Sequence, residues 1–137
     1  MSLAISTTLR ADSVDDAAER TRNALSEQGF GILTEIDMAA TLKAKIGAEL
    51  EDYRILGACN PPLAHRAVEA DRRIGLLLPC NVVVRRDPSD AASVLVEALN
   101  PTVMVQVTGD PALETVAAEA AAKLRAALDS LGGTATR

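Results

Sequence analysis

The sequence predicts a single α+β domain, with helices packed on a mixed, largely antiparallel sheet, and three features carry that prediction. Apolar residues alternate along Leu3–Leu9, the period of a half-buried strand. Two further Val-rich runs, Asn81–Arg86 and Ser93–Ala98, flank the turn-forming Asp87-Pro88-Ser89-Asp90. Strands joined so tightly pair as an antiparallel hairpin, which excludes a purely parallel sheet. Third, Leu113, Val116, Ala117, Ala120, Leu124, Leu128 and Leu131 recur at helical spacing, a stripe wide enough to cover a sheet.

The elements follow in order. Leu3, Ile5, Thr7 and Leu9 share one face of a first strand. Asp12 and Ser13 offer N-caps, Asp15 and Asp16 suit the positive end of a helix dipole, and Val14, Ala17, Ala18, Thr21 and Leu25 form the stripe of a helix that Gly29 closes. Phe30–Ile36 reads as a second strand, with Phe30, Ile32 and Ile36 on one face. Met38, Leu42, Ile46 and Leu50 predict a short helix, weakened by Gly47 in its last turn. Tyr53–Ala58 is a third strand, in which Tyr53, Ile55, Gly57 and Cys59 share a register. Asn60-Pro61 opens a helix running to about Ala70. Ile74–Leu78 reads equally as a strand or one helical turn. After the hairpin, Asn100-Pro101 and Asp110-Pro111 repeat the cap-then-proline pattern, and Gly132-Gly133 ends the last helix.

Composition bounds the function. The 137 residues suit one domain spanning 1–137, with its core at about 3–131 and a frayed tail at 132–137. Apolar residues make up 48%, enough for a real core, and the charged fraction of 24% is ordinary. Phe30 and Tyr53 are the sole aromatics and the net charge is -5. Few stacking surfaces and no basic excess argue against nucleic acid and against an electrostatic membrane anchor. The longest apolar stretch, Ile74–Val84, is broken by Gly75, Pro79, Cys80 and Asn81 and is too short to span a bilayer. No leader pattern is read at the N-terminus, so a cytoplasmic location is expected, with both cysteines as thiols.

Two segments resemble one another: Ala58-Cys59-Asn60-Pro61 and Leu78-Pro79-Cys80-Asn81. Each joins a cysteine to an asparagine at a break in regular structure. Together with Phe30-Gly31-Ile32-Leu33-Thr34-Glu35-Ile36-Asp37, Gly57 through Ala64, and Gly75 through Val82, they resemble the uncharacterised family called domain of unknown function 302. A weaker match lies at Asn100-Pro101 and Met104, where Asp is expected in place of Asn100. The resemblance covers about Ser13 to Leu128. It implies a compact α+β domain, a homodimer and no established activity, and it groups Cys59 and Cys80 as a candidate site.

Read from the residues, Cys59 would precede a helix N-terminus, whose unpaired N–H groups and dipole stabilise thiolates. Against that stands simple burial, common for free cysteine. Cys80, in register with Val82 and Val84, reads equally as core. His65 is a turn from Cys59 and is a candidate base or ligand, or else an exposed helix residue. Asn60 and Asn81 are candidate ligand contacts or plain backbone caps. Met38 and Met104 are core fillers whose thioethers also suit Cu(I). The basic pairs Arg72-Arg73 and Arg85-Arg86 read as an anion site or as surface ion pairs.

The expectation is a homodimeric ligand-binding or thiol-redox module built on Cys59, Asn60, Cys80, Asn81 and His65, taking a small molecule or a soft metal such as Cu(I) or Zn(II). No cofactor is assigned. A protein-interaction module with packed cysteines is the rival. A cysteine-nucleophile enzyme, with Cys59 attacking, His65 as base and Glu69 orienting it, is the third reading.

Overall fold

The computed structural model describes residues 2–132 and 135–136. Strand β1 (Ala4–Arg10) is followed by α1 (Val14–Glu27), β2 (Gly31–Asp37), α2 (Met38–Ile46), β3 (Tyr53–Cys59) and α3 (Pro61–Ala70). A 3-10 segment at Arg72–Leu77 leads to β4 (Cys80–Asp87), β5 (Asp90–Leu99), α4 (Thr102–Thr108), a 3-10 turn at Pro111–Leu113, α5 (Glu114–Gly132) and the short β6 (Ala135–Thr136). The ambiguous Ile74–Leu78 is thus a tight helical turn. The sheet order is β2-β3-β4-β5-β1-β6, and each of these pairings is antiparallel. This is an α+β domain. The tail expected to fray falls in part on residues 133, 134 and 137, outside the described residues, while Ala135 and Thr136 pair with Thr7 and Ser6.

Local chemistry explains the element ends. The Ser13 hydroxyl accepts the Asp16 N–H at 3.0 Å and starts α1. Gly29 ends that helix at φ +84, where Phe30 N–H reaches Leu25 O and Gly29 N–H reaches Ser26 O, the paired bonds of a left-handed C-terminal cap. Asp87 and Asp90 close the hairpin across Pro88-Ser89, and the Asp87 carboxylate accepts the Ser89 N–H at 2.9 Å.

Two expectations fail locally. In β2 the register slips between Ile32 and Thr34, so that Leu33 is an inserted residue. One extra residue reverses the alternation. Glu35 then pairs with Leu56 on the helix-covered side, while Ile36 pairs with Ile55 on the other and is 43% exposed. Phe30, Ile32 and Ile36 therefore do not share a face. Helix α2 stops at Gly47, held at φ +69, before reaching Leu50, and none of its residues is buried.

The core has two parts. The first lies between one face of the sheet and helices α1 and α5, and includes Leu25, Leu56, Val82, Val84, Val96 and Leu124. The second joins Leu63, Ala67, Ile74, Met104, Leu113, Val116 and Ala120 from the short helices and the first half of α5.

Candidate functional site

A cavity of about 320 Å³ opens where the two core clusters meet. Phe30 and Ala58 line it from the sheet side, and Leu63, Ala67, Met104, Val116 and Ala120 from the helical side. Leu33, Ala64, Val68, Gly75, Leu78 and Pro79 complete much of the wall. Its lining includes no Asp, Glu, His, Lys or Arg. Polar side-chain chemistry enters through Asn60 and the thiols of Cys59 and Cys80 alone.

Strand pairing brings the two cysteines to the same end of the sheet. Ala58 is the cross-strand partner of Cys80, so Cys59 is the next residue along β3. Both cysteines are free. Cys80 is buried, in line with Val82 and Val84 as expected, whereas Cys59 is half-buried. Burial, reinforced by the neighbouring Cys59, pushes the Cys80 thiol up from its ordinary 9.0 to about 11. Desolvation disfavours the thiolate, so Cys80 stays protonated at neutral pH.

The helix following Cys59 offers that thiol no anion cradle. Pro61 and Pro62 have no N–H to give. The Leu63 N–H is donated to Asn60 Oδ1 at 3.4 Å and the Ala64 N–H to the Asn60 carbonyl at 2.8 Å. The unpaired donors expected at this helix start are thus already absent or committed. Asn60 is itself engaged at both ends of its amide, since its Nδ2 also donates to the Gln28 carbonyl at 3.3 Å. It is 8% exposed and acts as the N-cap of α3.

The other sequence candidates lie elsewhere. His65 does not line the cavity. It is exposed on α3, with Nε2 3.1 Å from Glu69 Oε1. That juxtaposes His65 with the orienting acid proposed for it but not with a cavity thiol. Asn81 is exposed on β4 opposite Gly57. There Gly57 is closely covered: a Cβ would fall 2.8 Å from Pro79 Cγ and closer still to Thr34 Oγ1. The basic pairs are spent on the protein: Arg85 bonds Glu97 at 2.7 Å, Arg86 bonds the Ala11 and Ala91 carbonyls, and Arg72 and Arg73 meet Glu69 and Asp71. Among the described residues no group of three or more His, Cys, Asp and Glu is placed to hold a metal, and no helix is long and apolar enough to cross a membrane.

Sequence reasoning missed Phe30, Met104, Val116 and Ala120 as cavity walls. Apolar periodicity marked Phe30, Val116 and Ala120, and Met104 read as a core filler; neither signal separates a wall from a filled core.

Comparison with known proteins bears on the fold and the family. No curated protein matches the chain. A solved structure, described as an uncharacterised conserved protein DUF302 from Bacillus stearothermophilus, superposes with a TM-score of 0.86 at 27% identity, covering 96% of this chain and 99% of that one. The family model described as domain of unknown function DUF302 matches residues 5–131, and with nearly the whole domain accounted for, the chain belongs to the DUF302 family.

Proposed function

We propose that the protein is a small-molecule binding module whose cavity takes a compact, predominantly apolar ligand beside Cys59 and Cys80. The observation that carries this reading is the lining. A cavity of about 320 Å³ walled by Phe, Leu, Val, Ala and Met falls at the small end of ligand-site sizes. Its desolvated wall rewards apolar surface and penalises charge. Acid–base catalysis is disfavoured, since no carboxylate or imidazole reaches the lining. The raised Cys80 pKa likewise favours a thiol that serves as wall over one that attacks.

Titration with the neutral fluorophore N-phenyl-1-naphthylamine tests this. One saturable site per chain is expected. Ala64→Leu and Ala120→Leu, which fill the cavity from α3 and α5, should each weaken it by about tenfold or more. Leu76→Ser, outside the lining and 85% exposed, should leave it unchanged. Absence of saturable binding, or equal binding by folded Ala64→Leu and Ala120→Leu, overturns the reading.

A further inference from the structure

Helices α1 and α5 bury one face of the sheet, and the opposite face stays open. Cross-strand pairing sets Ile36, Ile55, Val83 and Glu97 in one row and Tyr53, Arg85 and Leu95 in the next. Their chain neighbours Leu56, Val82, Val84 and Val96 point into the core and have no exposure. Alternation therefore turns the two rows outward, and none of their residues is buried.

Apart from one ion pair, these rows are uncharged. Arg85 and Glu97 bond each other twice, through Nε at 2.7 Å and Nη2 at 3.4 Å. A pair already matched in this way enters an interface without leaving an unpaired charge. The chain as a whole carries a net charge of -5, so two copies repel over most approaches and meet at least electrostatic cost through a neutral face. Polar Ser6 and Thr8 on β1 and Asn81 on β4 border the apolar rows, the rim that interfaces commonly carry. Pairing through the free edge of β2 is disfavoured, because that strand carries the Leu33 bulge and the charges of Glu35 and Asp37.

We propose that this open face is a homodimer interface, in which a second copy of the chain packs sheet against sheet about a two-fold axis. Two sheets stack face to face through interdigitated side chains, and a two-fold contact uses the same patch on both copies. The size fits. The strands β2, β3, β4, β5 and β1 each have seven residues or more. At strand spacing and rise they span about 24 Å by 23 Å, on the order of 550 Å² in the plane. Side-chain relief carries the accessible area of such a face towards the roughly 800 Å² per partner of a stable interface. The dimer does not depend on the apolar-ligand reading of the cavity.

Sedimentation equilibrium of the full chain is the test. A species of twice the 14.3 kDa chain mass is expected at about 10 μM. Val83→Lys, which puts an unpaired charge into the middle of the face, should raise the dissociation constant by about a hundredfold or more. Ile36→Lys, at a position already 43% exposed in the single chain and so tolerant of lysine, should raise it by about tenfold or more. Leu76→Ser, on the 3-10 segment away from the sheet, should leave the dimer intact. Circular dichroism establishes that each variant is folded. A monomeric native chain overturns the proposal, and so does a monomer that instead floats with phosphatidylcholine vesicles. Unchanged dimerisation of folded Val83→Lys or Ile36→Lys, or dissociation by Leu76→Ser, places the contact elsewhere and overturns it as well. If Val83→Lys does not fold, Ile36→Lys decides the matter.

Discussion

The two halves of the core are built from the same residue types and end in different states. Between the sheet and α1/α5, the residues Val82, Val84, Val94, Val96, Leu124 and Leu128 have no exposure at all. Under the short helices Leu113 and Ala117 are just as buried, but Leu63, Met104 and Val116 border an open cavity. Helix α5 serves both regions, giving Val116, Ala117 and Ala120 to the second and Ala121, Leu124, Ala127 and Leu128 to the first. The difference therefore lies in the partner. A regular sheet face presents β-branched side chains at fixed spacing, and a long helix interdigitates with it. Beyond the strand ends, α3, α4 and the 3-10 turns are short; α3 begins at Pro61, α4 follows Pro101 and the second 3-10 turn begins at Pro111. Short elements with independent directions do not fill the space they enclose, and the residue of that mismatch is the cavity.

The largest expected effect compares one substitution in both regions. Leu124→Ala removes a side chain packed on all sides and should destabilise by about 3–5 kcal/mol. Leu63→Ala removes one that already borders the cavity and has fewer contacts to lose, so about 2 kcal/mol is expected. Urea unfolding at constant m-value measures both. Equal losses would show that the second region is packed as tightly as the first.

A middle-sized effect concerns Cys80, at the seam between the regions. Its folded-state pKa is raised to about 11 from 9.0. Between these values the unfolded chain loses the thiol proton while the folded one keeps it. The stabilisation is thus fully present below pH 9 and is lost as pH rises towards 11, about 3 kcal/mol in all. Comparing unfolding free energies of the native sequence and Cys80→Ala from pH 8 to 10.5 should show the native sequence falling more steeply. Parallel profiles would mean that the thiol is better solvated than its burial indicates.

Legibility in the sequence followed the same division. The strand–helix order, the caps at Ser13 and Asn60, the hairpin and the inward register of Cys80 with Val82 and Val84 were readable because each depends on residues close in the chain. The phase of β2 was not, since the insertion of Leu33 is visible only against the register of β3. The cavity was half-legible. Cys59 and Cys80 stood out as a repeated Cys-Asn pattern, but Phe30 before β2, Met104 on α4 and Val116 and Ala120 on α5 meet only through packing. The helix-start argument for a Cys59 thiolate erred on local chemistry. Pro61-Pro62 and the Asn60 cap remove the donors on which it depended.

Helix α2 belongs to neither region, and its substitution gives the smallest expected effect. Its apolar residues recur at helical spacing, yet Ile46 is 74% exposed and no α2 residue appears in either cluster. The helix is held by its ends: the Asp37 carboxylate accepts the Ala40 N–H at 2.9 Å, and Gly47 closes the last turn. Ile46→Ser should therefore shift stability by no more than about 0.5 kcal/mol. Gly47→Ala, forced to keep φ near +69 with a Cβ, should lose about 1 kcal/mol although nothing lies within 4 Å of the added carbon. This pair separates packing from backbone conformation within two adjacent positions. A large loss for Ile46→Ser would place α2 against a buried surface and add a third packed region to the two compared here.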